Sequence, residues 1–317
     1  TIDDAGLGKM ASNKKHYIGS VMRKRGVLMD EKREKLVGIY PKNKNQTFEA
    51  GAIICEKMKI EANGISIGYD LEGPVGAPVV TMSHSLAANR DMWWPQMAAL
   101  RKNYRVLRYD TRGHGESSTT GGPYNFTLLV DDVVALLDKL NVHKTHFVGL
   151  SMGGMIGQLL AAKHSNKLHS VTLCATACQM PNETLPVWDE RIRSVEKHGM
   201  NSISDGTLQR WFTQSYLANN KAEVERVKHL IETTPSPGYA ACAQAIKKPE
   251  QLQDLARISA PTLILGGADD PSTPPAASEV IHKHVTHSKM EVVADASHFL
   301  NVEQSEHFNK ALRTFLN

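Results

Sequence analysis

From Met58 onward, short apolar runs alternate with stretches in which apolar residues recur every three or four positions. Runs at 59–61 and 65–69 flank Asn63-Gly64, a pair that favours the positive φ of a tight hairpin turn. Further apolar runs at 78–83, 104–109, 146–149, 170–176, 261–265 and 289–293 predict buried strands. Between them, helical spacing predicts helices at 92–100, 127–140, after 151, 275–284 and 303–315. Alternation of this kind predicts an α/β fold: a mostly parallel sheet with helices on both faces. It is interrupted once. Residues 177–259 carry no strand pattern, only helical segments at 187–198, 207–217, 222–233 and 239–246, which predict a helical cap inserted over the sheet.

The strand near 146–149 ends in Gly149-Leu150-Ser151-Met152-Gly153, a Gly-x-Ser-x-Gly pattern between a buried strand and a helix. Such a turn is tight enough to strain the serine backbone, and side chains two residues away would collide with neighbouring elements. Ser151 is therefore the candidate nucleophile, at the start of a helix whose free N–H groups favour negative charge. A serine so placed needs a histidine base and a carboxylate to orient it, each following a later strand. After 261–265 come Asp269 and Asp270, both candidates by spacing; after 289–293 comes His298. The oxyanion donors are expected to be the backbone N–H groups of Met152 and of Leu86, in the loop after 78–83. His84 is read as tying down that loop rather than transferring protons, and with Trp93 and Trp188 it is assigned to the surroundings of the substrate pocket. Trp94 and Trp211 are further aromatic candidates for pocket or core. Asp110, Arg112 and His114 are read as a loop-bracing network, since the glycine spacing there does not make a phosphate loop.

Composition narrows the function. The chain has 317 residues, 41% hydrophobic and 22% charged, with a formal net charge of +4. Residues 1–57 hold 12 Lys and Arg against 7 Asp and Glu, while the remainder is nearly neutral, which argues against nucleic acid as a partner of the main body. The first 57 residues are read as a basic extension outside the core, with a short helix near 30–37; a chain beginning at Met58 is expected to keep activity. Four cysteines without zinc-site spacing, and no His-Glu-x-x-His, predict no metal. No apolar run is long enough to span a bilayer and no secretory signal is visible, so we expect a cytoplasmic protein with no membrane partner. Arg90, Arg191 and Arg193 are possible anion partners, with solvated surface as the default for each.

Residues 63–317 resemble the α/β-hydrolase superfamily. The stretches Ser83-His84-Ser85-Leu86, 91–96, 105–115, 149–154 and 270–275 are similar to the 3-oxoadipate enol-lactonase family. The resemblance implies an α/β-hydrolase fold with an inserted cap, a Ser-His-Asp triad, and hydrolysis without a cofactor of a small enol-lactone formed in aromatic catabolism. It also implies that Asp270, preceding the x-x-Thr-Pro stretch, is the acid of the triad. The chain departs from that family at His84, where Asn is usual, at Ala87, where Gly is usual, and in its N-terminal extension and cap. A promiscuous carboxylesterase, a C–C bond hydrolase and a non-catalytic ligand receptor on the same fold are the alternatives.

Overall fold

A computed structural model describes residues 57–317, together with two short strands that pair antiparallel, β1 (Val27–Asp30) and β2 (Lys35–Gly38). Where a helix was expected near 30–37, the chain forms β1 and β2. Their apolar runs, Val27-Leu28-Met29 and Leu36-Val37, lie either side of a charged segment too short of periodic apolar residues for a helix. The remaining expectations for 1–56 fall outside the described residues.

The main sheet has eight strands: β3 (Lys57–Ala62), β4 (Ile65–Glu72), β5 (Val79–Ser83), β6 (Arg105–Tyr109), β7 (Thr145–Leu150), β8 (Leu168–Cys174), β9 (Thr262–Gly267) and β10 (Lys289–Val293). Their spatial order is β10-β9-β8-β7-β5-β6-β4-β3. β3 and β4 form the hairpin expected at Asn63-Gly64, where φ is +48° and +73°. The pairings β4–β6 and β3–β4 are antiparallel, and all others are parallel. Central strands are almost wholly buried because helices cover both faces; every residue of β9 is buried.

Strand order reverses between β5 and β7. The loops leaving their carboxyl ends diverge, and a crevice opens between them. That topology alone puts residues 84–87, after β5, beside Ser151, after β7.

Core helices are α1 (Trp94–Leu100), α2 (Phe126–Lys139) and α3 (Met152–Lys163). The segment between β8 and β9 contains α4 (Leu185–His198), α5 (Asn201–Trp211), α6 (Gln214–Asn219), α7 (Lys221–Glu232) and α8 (Ser236–Lys247). One helix was expected at 207–217. The chain instead breaks at Phe212, which is extended and buried, and Thr213 caps the next helix by accepting from the Tyr216 N–H at 3.2 Å. α9 (Pro275–His284) follows β9. The closing helix is divided at Gln304 into α10 (Leu300–Glu303) and α11 (Ser305–Leu316). No helix among the described residues is long and apolar enough to cross a membrane.

Candidate active site

Ser151 occupies φ +57°, ψ −113°, a conformation that costs an L-residue about 1–3 kcal/mol and persists only where surroundings over-determine it. They do. The Ser151 N–H donates to the Cys174 carbonyl at 2.8 Å, and its own carbonyl accepts from Thr176 Oγ1 at 2.8 Å and the Met155 N–H at 3.0 Å. A Cβ on Gly149 would lie 2.1 Å from the Gly153 carbonyl oxygen, and one on Gly153 would lie 2.2 Å from that of Ser83. Both glycines are thus required by close backbone approach. The half-buried Ser151 faces a cleft of about 170 Å³ together with His298.

Asp270 and His298 come together as the later strands end. His298 Nδ1 lies 2.8 Å from Asp270 Oδ2. The same carboxylate accepts from Thr273 Oγ1 at 2.7 Å and from the N–H groups of Ser272 and Thr273 at 2.7 and 3.1 Å. Burial alone raises the Asp270 pKa, but the charge and hydrogen bond of His298 and the bonds from Thr273 outweigh it, and the group is held below the usual carboxylate range. With Nδ1 engaged on Asp270, the opposite ring nitrogen, Nε2, is left for the cleft. Asp269 is exposed and has no hydrogen bond or ion pair to His298; its N–H donates to the Ala296 carbonyl at 2.9 Å.

Leu86 and Ala87 form the opposite lip of the cleft. Neither the Leu86 N–H nor the Met152 N–H has an acceptor among the described residues. The loop is held by two buried histidines. His84 Nε2 accepts from the Thr111 N–H at 2.8 Å, and His84 Nδ1 donates to the Ser85 carbonyl at 2.7 Å. His114 Nε2 accepts from the Ala87 N–H at 3.3 Å, and the two rings lie 5.2 Å apart. Acceptance at Nε2 requires neutral rings. Burial pushes His84 down to about 4, and burial with the neighbouring His84 pushes His114 to about 3. His84 is therefore the loop-tying brace expected of it, but it does not line the cleft, which corrects its assignment to the surroundings of the pocket.

Trp93 is corrected too: it is fully buried in the core, 6.2 Å from the Phe308 ring. Trp188 does line the cleft. The bracing network has different partners from those expected. Asp110 bonds Arg90, whose Nε and Nη2 reach Asp70 and Glu116 at 3.1 Å each. Arg112 instead pairs with Asp132 at 2.6 Å. Arg90 is thus internally neutralised, and exposed Arg193 pairs with Glu190 at 2.7 Å.

The cap supplies the rest of the wall, including Arg191, Arg210, Trp211 and Tyr239. Arg191 sits 5.1 Å over the Trp188 ring, and Arg210 donates to Thr207 Oγ1 at 3.0 Å. Among the described residues neither guanidinium has a carboxylate partner. Burial lowers both pKa values, and the charge of Arg191 helps bring Arg210 to about 10. Sequence reading missed Arg210 and Tyr239. For Arg191 a signal existed: Trp188 and Arg191, three apart, share one helix face.

A family profile described as the α/β-hydrolase fold matches residues 78–305. 3-Oxoadipate enol-lactonase 2 of Acinetobacter baylyi is 36% identical over 260 residues, covering 82% of this chain and 96% of the relative. The crystal structure of the enol-lactonase from Burkholderia xenovorans LB400 superposes with a TM-score of 0.79 at 35% identity, covering 82% of this chain and 99% of that one. A thermophilic esterase from Thermogutta terrifontis, with malate bound, gives 0.77 at 28% identity, covering 82% and 98%. The chain belongs to the α/β-hydrolase family, as a hydrolase whose relatives include 3-oxoadipate enol-lactonases.

Proposed function

We propose that this protein is a serine hydrolase opening a small lactone that carries a carboxylate, with 3-oxoadipate enol-lactone as substrate. One observation carries the reading: two arginines without carboxylate partners share the cleft with Ser151 and His298. Guanidinium groups half removed from water bind a carboxylate more strongly than exposed ones, because less hydration is lost on pairing. The relatives' enol-lactonase activity and the malate bound to the Thermogutta esterase support a short carboxylate ligand.

In this mechanism Arg191 and Arg210 seat the substrate carboxylate and so aim the lactone carbonyl at Ser151. His298 Nε2 takes the Ser151 Oγ proton as Oγ attacks that carbon. Asp270 keeps the Nδ1–H tautomer and stabilises the imidazolium. The oxyanion accepts hydrogen bonds from the Leu86 and Met152 N–H groups, donors fixed before the reaction begins. The intermediate collapses, the ring C–O bond breaks, and the enolate oxygen takes the proton from His298. Water, deprotonated by His298, then attacks the acyl carbon, and the same proton returns to Ser151 Oγ. The released enol becomes a ketone, which removes the hydroxyl that could reclose the ring. Neither metal nor cofactor has a role in this sequence. A place in the breakdown of aromatic compounds follows from the substrate.

The test is steady-state hydrolysis of 3-oxoadipate enol-lactone beside p-nitrophenyl acetate. A strong kcat/KM preference for the lactone is expected, with kcat falling by on the order of 10⁴-fold or more in Ser151→Ala. Ester turnover without that preference would make the protein a general carboxylesterase and overturn the substrate assignment.

A further inference from the structure

The His298 loop and the last turn of α5 are joined more closely than packing alone requires. The Phe299 N–H donates to the Trp211 carbonyl at 3.0 Å, and Ser297 Oγ donates to the Arg210 carbonyl at 2.9 Å. The Trp211 ring stacks on Phe299 with centroids 4.0 Å apart and 13° between planes. One side chain, Glu303, bridges the two segments. Its Oε2 accepts the Ser297 N–H at 2.7 Å, while Oε1 accepts the Thr213 N–H at 2.9 Å and Thr213 Oγ1 at 2.5 Å. Both carboxylate oxygens are used, and each faces a backbone N–H. Ser297 immediately precedes His298, and Thr213 stands at the break that ends the arginine-bearing helix.

We propose that Glu303 is a positioning residue for His298: it clamps the loop carrying the base to the cap turn carrying Arg210, so that base and anion seat are held as one unit. The proposal rests on the reading of His298 as the base. Glu303 touches neither substrate nor a reacting atom. It acts by fixing where the imidazole stands relative to Ser151, and small displacements of a base are costly because proton transfer needs hydrogen-bond distance.

Glu303→Gln is the discriminating variant. An amide offers one acceptor oxygen where two opposed donor sets require two, so one N–H is left facing an NH₂ group. With p-nitrophenyl acetate, which has no carboxylate for the arginines, kcat is expected to fall at least 10-fold with KM within 2-fold. The inhibition constant of butyrate, a simple anion competing for the arginines, is expected to stay within 2-fold. Glu303→Asp, which keeps the charge and reaches one donor set, should fall between wild type and Glu303→Gln. A folded Glu303→Gln with wild-type kcat would overturn the proposal, as would a loss confined to KM and butyrate affinity, the pattern of a merely loosened cap. His298→Ala separates the two readings. If it retains wild-type turnover, the base assignment falls and the positioning role with it. If it is inactive while Glu303→Gln is not, the positioning role alone falls.

Discussion

The two walls of the cleft are built by different means. On the sheet side, the backbone fixes every group proposed to act on the carbonyl. Ser151 is held in its positive-φ turn by hydrogen bonds to its own N–H and carbonyl and by glycines whose neighbours leave no room for a Cβ. Leu86 and Met152 contribute N–H groups whose positions follow from β5 and β7 lying side by side. On the cap side, long side chains do the proposed binding. Arg191 and Arg210 hang from separate helices and are steadied by the face of Trp188 and by one hydroxyl. Backbone placement tolerates almost no substitution, whereas side-chain placement leaves the same scaffold free to accept other acyl groups.

Four measurements press on that contrast. The largest effect is expected from Gly153→Ala. A Cβ 2.2 Å from the Ser83 carbonyl oxygen must displace backbone, so we expect a loss of about 3 kcal/mol or more in urea unfolding, together with activity. A variant of wild-type stability would mean that the Ser151 turn is not over-determined. Next is the double variant Arg191→Ala/Arg210→Ala. Hydrogen bonds to charged groups contribute roughly 1.5–3 kcal/mol, so kcat/KM for the carboxylate-bearing lactone should fall about 100-fold. Turnover of p-nitrophenyl acetate should change by a few-fold at most. Equal losses on both substrates would show that the arginines shape the cleft rather than bind an anion.

The histidine brace belongs to the sheet side and should make it acid-sensitive. His84 and His114 titrate near 4 and 3 in the folded chain and near 6.5 when unfolded. The unfolded state therefore binds more protons as pH falls below about 6.5, and stability declines through that window toward the folded-state values. Each group contributes at most about 1.4 kcal/mol per pH unit. His84→Asn should flatten the decline in unfolding free energy from urea titrations between pH 6.5 and 5 by on the order of 1–2 kcal/mol; an unchanged slope would mean that His84 is not neutral in the fold. The smallest effect concerns Ala87, which sits at φ +59°. Ala87→Gly relieves about 1 kcal/mol of left-handed strain and gives up a comparable amount of buried methyl surface. Its melting temperature is expected within a few degrees of wild type.

The elements that could be read in the sequence share one property: their signals are local. Alternating apolar runs located the sheet strands within a few residues, and Gly-x-Ser-x-Gly marked the turn because only glycine fits such close backbone approach. The placing of an acid, Asp269 or Asp270, and of His298 after successive strands needed only the order of elements. Departures arose where distant contacts overrode local pattern. The expected helix at 207–217 breaks at Phe212 because that ring is buried and Thr213 bonds Glu303, ninety positions away. His84 and Trp93 have the composition of pocket residues, but one bonds Thr111 across the cleft lip and the other fills core beside Phe308.

Chain order and periodicity thus determined the α/β architecture and the chain positions of Ser151 and His298, with Asp269 and Asp270 both left as acid candidates, since backbone propensity and the spacing of apolar residues act over a few positions. Which arginines face the cleft, which carboxylate meets His298, and how Glu303 ties the His298 loop to the cap were decided only in three dimensions. Each depends on side chains from separate elements meeting at hydrogen-bond distance, and no local pattern encodes that meeting.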